Sequence, residues 1–210
     1  MKIAIIGANG KSGTNLVNEA LRQDYDVTAI VRNKEYKNDN VKVIYKDIFD
    51  LTKSDLAGFG AVISAFAAWT PETFPLHKKV AAHLVNLLEG TSTRLIVVGG
   101  AGTLFVDDNG TMVMDTPDFP AAYMGVAKAT AESYFELKGR SDLLWTYVSP
   151  AGNYANGART GKYVLGGDNL ILNSKNESYI SYADLALAII DELKNKKFIQ
   201  KRFTVVGERA

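Results

Sequence analysis

IAIIGANGKSGTNLVNEAL, residues 3–21, decides the reading of the whole chain. A hydrophobic run stops at Gly7, Gly10 and Gly13 follow at three-residue intervals, and Leu16, Val17, Ala20 and Leu21 then recur with helical period. The pattern predicts a strand over Lys2–Ile6, a tight turn, and an amphipathic helix over Ser12–Gln23. In such a unit Gly7 ends the strand and allows the turn, Gly10 lets a pyrophosphate approach the backbone, and Gly13 lets the helix pack closely on the sheet. Asn9, Lys11, Ser12 and the free N–H groups at the helix start then face the anion. A bend without a ligand is the plainer alternative, but a glycine triad between a first strand and an amphipathic helix is the context that dinucleotide binding requires.

Working outward, β-branched runs alternate with helix-period segments. Strands are expected at Val27–Val31, Val41–Tyr45, Ala61–Phe66, Arg94–Val98, Leu143–Val148 and Arg202–Val206, most of them continuously apolar, as in strands buried on both faces. Helices are expected at Leu76–Leu88, Ala121–Leu137 and Tyr182–Leu193. The alternation implies an α/β fold: a Rossmann-type, doubly wound parallel sheet with helices on both faces. After Pro150 the chain turns rich in Gly, Asn and Ser. The expected organisation is therefore a dinucleotide-binding core over 1–150, a small substrate lobe over 151–180, and a final helix and strand over 181–210 that return to the core, all in one domain.

Composition narrows the function classes. The 210 residues carry 24 basic and 23 acidic side chains, a net charge of +1 with no basic stripe for nucleic acid or an anionic membrane. The densest basic run, Lys194–Lys197, follows a helical pattern, where it complements the negative helix end. Without cysteine there is no disulfide, thiolate metal site or cysteine nucleophile. Only five apolar residues precede Gly7, too few for a signal peptide or a span, so a cytoplasmic protein is expected. No His/Asp/Glu grouping has metal-ligand spacing, and no G-x-S-x-G nucleophile motif is present. Oligomeric state, monomer or homodimer, stays open.

The end of the second strand bears on cofactor type. An NAD site places an acid there for the ribose 2′-hydroxyl. Here Arg32 follows "VTAIV" with no acid beside it, a group suited to a 2′-phosphate. NADP(H) is the expected cofactor, with NAD(H) possible.

These features resemble the atypical short-chain dehydrogenase/reductases, and within them the bacterial NADH-flavin reductase group related to NmrA-like and biliverdin reductase B-like proteins. The resemblance runs along the chain through "GANGKSG", "VRN", "KDIFD", "VISAFAA", "RLIVVGGAGTL", "WTYVSPAG", "ARTGKY" and "YISYADLALAIIDEL". It implies that Asp47 and Ile48 lie over the adenine, although Asp47 could equally cap a turn. It also puts Ala65, Phe66 and Ala67 along the riboses, Gly99 and Gly100 near the nicotinamide ribose, and Ser149 and Pro150 beside the nicotinamide. Trp69 either stacks in the pocket or covers the core.

The orthodox members carry Tyr-x-x-x-Lys on a helix, with an upstream hydroxyl. This chain has Tyr123 and Lys128 five apart, and the hydroxyl would have to be Thr103. Five residues amount to about 500° of helical rotation, or 140° net, so the two side chains diverge. Tyr123 remains the candidate catalytic group and Lys128 a candidate for cofactor phosphate or ribose. Without the dyad, a flavin or quinone acceptor, which delocalises the arriving charge, fits better than a simple ketone. Asn153, Tyr154, Arg159 and Lys162 are the expected substrate-side polar groups, with Arg159 alternatively paired internally. His77 lies on an apolar helix face near the cleft edge, whereas His83 lies off it. Ser181 is expected to cap the final helix, with Asp184 organising its start. The reading is an NADPH-dependent reductase of a conjugated acceptor, set against a non-catalytic NADP(H) sensor of NmrA-like type.

Overall fold

The computed structural model describes residues 1–210. The strands are β1 (Lys2–Ile6), β2 (Asp26–Val31), β3 (Lys42–Tyr45), β4 (Ala61–Ser64), β5 (Arg94–Val98), β6 (Trp145–Pro150), β7 (Asn153–Ala155), β8 (Tyr163–Gly166), β9 (Tyr179–Ser181) and β10 (Lys201–Gly207). The helices are α1 (Lys11–Arg22), α2 (Leu76–Leu88), α3 (Ala121–Leu137) and α4 (Tyr182–Asn195). Eight strands form one sheet in the order β3-β2-β1-β4-β5-β6-β10-β8, parallel except for β8. The doubly wound parallel sheet read from the sequence is therefore present. No helix is long and apolar enough to cross a membrane.

Alternation along each strand divides the core into two layers. Ile3 and Ile5 face α1 and α4, where they join Leu16, Val17, Ile189 and Phe203. Ala4 and Ile6 face the other way, toward α2 and α3, with Val80, Leu84, Leu88 and Tyr134. Each large aliphatic side chain sealed in these layers contributes about 1.5–3 kcal/mol relative to exposure. Sheet order reverses between β1 and β4, which opens a crevice at their carboxyl ends, the place where open parallel sheets take ligands.

Beneath the opposite edge, a buried ion pair ties β5 to α4. Arg94 donates to Glu192 and to Thr146 Oγ1, while Glu192 also accepts the N–H groups of Lys197 and Phe198. Ser181 caps α4 by accepting from the Asp184 N–H at 3.0 Å, as its sequence position implies. The helix stops at Lys196, a residue of the basic run, whose φ of 53° is left-handed.

The segment after Pro150 differs in detail from its sequence pattern. β7 and β9 form a separate two-stranded parallel ribbon, whereas β8 joins the main sheet antiparallel to β10 as its edge. Direction is not written in a four-residue apolar run such as "YVLG". The loop that leads back from β8 decides it.

Candidate functional site

The glycine turn has a separate physical reason at each end. Gly7 takes a φ of +74°, open to glycine at no steric cost, and a Cβ there would lie 3.0 Å from the Ala65 carbonyl oxygen. The turn after β1 thus touches the loop after β4 at the sheet's reversal point. A Cβ on Gly13 would lie 2.1 Å from the Gly7 carbonyl oxygen and 2.7 Å from Ala8 Cα, so α1 can start this close to the turn only with glycine there. Gly10 is the residue before the first helical turn and supplies no side-chain cap. The N–H groups of Lys11, Ser12 and Gly13 find no acceptor in the protein, and Asn9 and Lys11 are exposed without hydrogen bonds from their side chains. The turn is thus a cradle of free donors that a Cβ would fill, at the positive end of a helix dipole: it fits a pyrophosphate.

At the end of β2, Arg32 is 80% exposed, and its one ionic neighbour is Asp47, with Nη1 3.7 Å from Oδ2. Asp47 meanwhile accepts the Phe49 N–H and caps the 3₁₀ turn Ile48–Asp50. Of its two sequence readings, the cap is the role its contacts give it. Ile48 turns its side chain into the core.

Along the crevice, Ala65 and Phe66 are half-buried and Ala67 is exposed. His77 holds this loop: its Nε2 lies 3.1 Å from the Ala68 carbonyl oxygen and 3.3 Å from the Ala68 nitrogen, and its ring meets Phe66 edge-on. Burial pushes the His77 pKa down, so the ring is neutral and serves the loop. Trp69 is 69% exposed and covers no core. Gly99 owes its lack of a side chain to Tyr147, since a Cβ there would meet the phenol oxygen at 1.9 Å. Tyr147 donates to the Thr130 carbonyl and accepts the Gly100 N–H, which fixes the loop after β5. Ser149 and Pro150 are buried at the end of β6, and Ser149 Oγ has no hydrogen-bond partner.

On α3 the buried stripe runs through Ala127, Thr130, Ala131, Tyr134 and Leu137. Tyr123 lies one turn before Ala127 on the same stripe, beyond the core, and is 57% exposed. Lys128 is exposed, and neither residue hydrogen-bonds the other. A Cβ on Gly125 would lie 2.4 Å from the Phe74 ring, so the loop that follows Trp69 rests against the first turns of α3. A glycine inside an otherwise helical run is the sequence signal of that approach.

Three expected substrate-side groups are engaged elsewhere. Thr103 is buried, and its carbonyl and hydroxyl oxygens both accept from Arg202 Nη1, at 2.9 and 2.8 Å. It does not serve Tyr123 as an upstream hydroxyl. Arg159 donates twice to Glu19, at 2.7 and 3.0 Å, so the internal pairing prevails. Tyr154 turns to Ser12 on α1 at 2.8 Å. Asn153 and Lys162 remain exposed. Asp184 accepts from Thr160 and the Gly161 N–H and so closes the turn before β8. Glu19 escaped the sequence reading, although an acid on the apolar stripe beside Leu16 and Ala20 signals a buried partner. Desolvation pushes its carboxyl up, but the Arg159 and Gln23 hydrogen bonds, the Arg159 charge and the Arg22 hydrogen bond together hold it below the ordinary value.

Residues 7–196 match a family described as NAD(P)H-binding. The Bacillus subtilis protein YwnB is 45% identical over 212 residues, 99% of each chain. A Streptococcus pneumoniae crystal structure, described as that of "a putative NADH-flavin reductase", superposes with a TM-score of 0.95 at 46% identity and covers 99% of this chain and 100% of that one. A Bacteroides thetaiotaomicron structure, described as a "putative epimerase", gives a TM-score of 0.86 at 36% identity over 100% of this chain and 99% of that one.

Proposed function

The chain belongs to the NAD(P)H-binding family, and from that premise we propose that it is an NADPH-preferring reductase of a flavin, quinone or similar conjugated acceptor. The glycine turn with the free amides of Lys11–Gly13 would hold the pyrophosphate, and Arg32 the 2′-phosphate. The bound nicotinamide supplies a hydride. The protein's part is to orient the acceptor and exclude water at the crevice bordered by Phe66, Gly99 and Gly100. The name of the pneumococcal neighbour supports a flavin.

The observation that carries the acceptor class is the separation on α3. Tyr123 overhangs the end of the buried stripe, while Lys128 stands on another face without a contact to it. A ketone needs an acid at the oxygen as charge arrives, and a phenol without a paired cation serves poorly. A conjugated acceptor spreads the charge and takes its proton from water. Trp69 and Tyr123, both exposed at the crevice rim, offer flat apolar surface to such a ring system.

The test is NADPH oxidation with FMN, a benzoquinone and a simple cyclic ketone, on the wild type and Tyr123→Phe. Turnover of flavin or quinone, changed by no more than about threefold in the variant, is expected. Ketone reduction that Tyr123→Phe abolishes would overturn the acceptor class. Tight NADPH binding with no turnover of any acceptor would favour the sensor reading.

A further inference from the structure

We propose that Tyr154, which no part of the site reading above employs, is a positioning residue for the pyrophosphate. It orients the Ser12 hydroxyl so that its proton points into the glycine turn. The inference rests on the cofactor half of the proposed function.

The argument is one of donors and acceptors. Tyr154 donates to Ser12 Oγ at 2.8 Å, and no other protein group bonds either hydroxyl. A serine hydroxyl has one proton and two lone pairs. Because it accepts from the phenol, its own proton has no acceptor in the protein. Ser12 is the second residue of α1, between Lys11 and Gly13, whose backbone N–H groups are likewise unclaimed. The serine proton thus completes a set of donors otherwise supplied by the backbone. Donation in the reverse sense would leave the phenol proton without an acceptor. Burial also pushes the Tyr154 pKa up, so the phenol keeps the proton that it gives to Ser12.

The phenol is held from outside the turn. Its ring packs against Tyr182 with centroids 4.2 Å apart. Two turns further along α1, Arg159 grips Glu19. Ser12 and Glu19 are seven residues apart and so share one face of the helix, about 10 Å from each other along its axis. The segment after Pro150 therefore docks on the phosphate-binding helix at two points, and one of them is the phosphate-facing serine.

The test is a double-mutant cycle on the whole protein, with NADPH and NADH affinities measured by calorimetry for the wild type, Tyr154→Phe, Ser12→Ala and the double variant. The phenylalanine keeps the ring against Tyr182. Ser12→Ala is expected to weaken both cofactors about tenfold and Tyr154→Phe about three- to fivefold. In the Ser12→Ala background, Tyr154→Phe should cost nothing more. Phosphorus NMR of bound NADPH supplies a readout that general loosening would not give: the pyrophosphate resonances shift in Tyr154→Phe, while the 2′-phosphate resonance stays. Losses that multiply independently, or a Tyr154→Phe affinity equal to the wild type's, would overturn the role of Tyr154 and leave the cofactor assignment standing. Absence of cofactor binding by the wild type would remove both.

Discussion

Arg32 and Asp47 make opposite predictions for one ligand group. Arg32 is 80% exposed, so a 2′-phosphate beside it is bound nearly in water. There a unit charge pair at contact distance is worth about 1 kcal/mol, and a phosphate carries about −1.5 to −2 charges. Guanidinium hydrogen bonds add to this, while the loss of the loose Asp47 contact subtracts up to about 1 kcal/mol. The net is about 1–2 kcal/mol, or roughly a five- to thirtyfold weakening of NADPH in Arg32→Ala, with NADH unchanged. Asp47→Asn keeps the side-chain oxygen that caps the 3₁₀ turn and removes a negative charge beside the phosphate. It should tighten NADPH about threefold. Calorimetric titration of both cofactors at low and high salt is the assay, and the Arg32 effect should shrink as salt rises. If Arg32→Ala weakens NADH as much as NADPH, the phosphate argument is wrong. If Asp47→Asn instead weakens NADH, the carboxylate was holding a ribose hydroxyl, and the cofactor preference reverses.

Other substitutions probe the frame around that site. Gly13→Ala places a Cβ 2.1 Å from the Gly7 carbonyl oxygen, so the turn must open; a stability loss of about 1–3 kcal/mol in urea unfolding and loss of cofactor binding are expected together. Arg94→Met leaves the Glu192 carboxylate buried without its cation and should cost about 3–5 kcal/mol in the same assay. Arg94→Met/Glu192→Gln removes the stranded charge and should recover part of that loss. Asp55 is held down to about 2 from its ordinary 3.8, chiefly by the Lys46 ammonium and then by Thr52. Its folded pKa is depressed, so its contribution is complete above pH 4 and disappears as pH falls toward 2. Asp55→Asn should flatten the fall in unfolding free energy across that window, and an unchanged acid limb would refute the link.

The glycine turn after β1 was legible because its constraints act on the backbone and only glycine meets them: a positive φ at Gly7 and a contact too close for a Cβ at Gly13. The sheet was legible because burial on both faces leaves continuous apolar runs. What escaped was pairing at a distance. Nothing near Arg159 announces that Glu19, 140 residues earlier, claims it, and nothing near Thr103 announces Arg202. Likewise the place of Tyr154 just after Pro150 points to the substrate side, yet its hydroxyl reaches α1. A polar residue's type is local information; its partner is not.

That division bears on how one fold can carry differently described chemistries, as the reductase and epimerase descriptions of its neighbours suggest. The turn after β1 is fixed by contacts of main chain on main chain, with Gly13 against Gly7 and Ala8, and Gly7 against Ala65. Few substitutions there leave it intact. The side chains of Tyr123 and Trp69 by contrast are exposed and make no hydrogen bond, so exchanging them disturbs no core. The side chains at the rim of the crevice can therefore change without loosening the glycine turn. The exception is Tyr154, on the segment after β6 yet bonded to Ser12. Replacing it should register in cofactor affinity first and in acceptor choice only secondarily, the reverse of what its place in the chain implies.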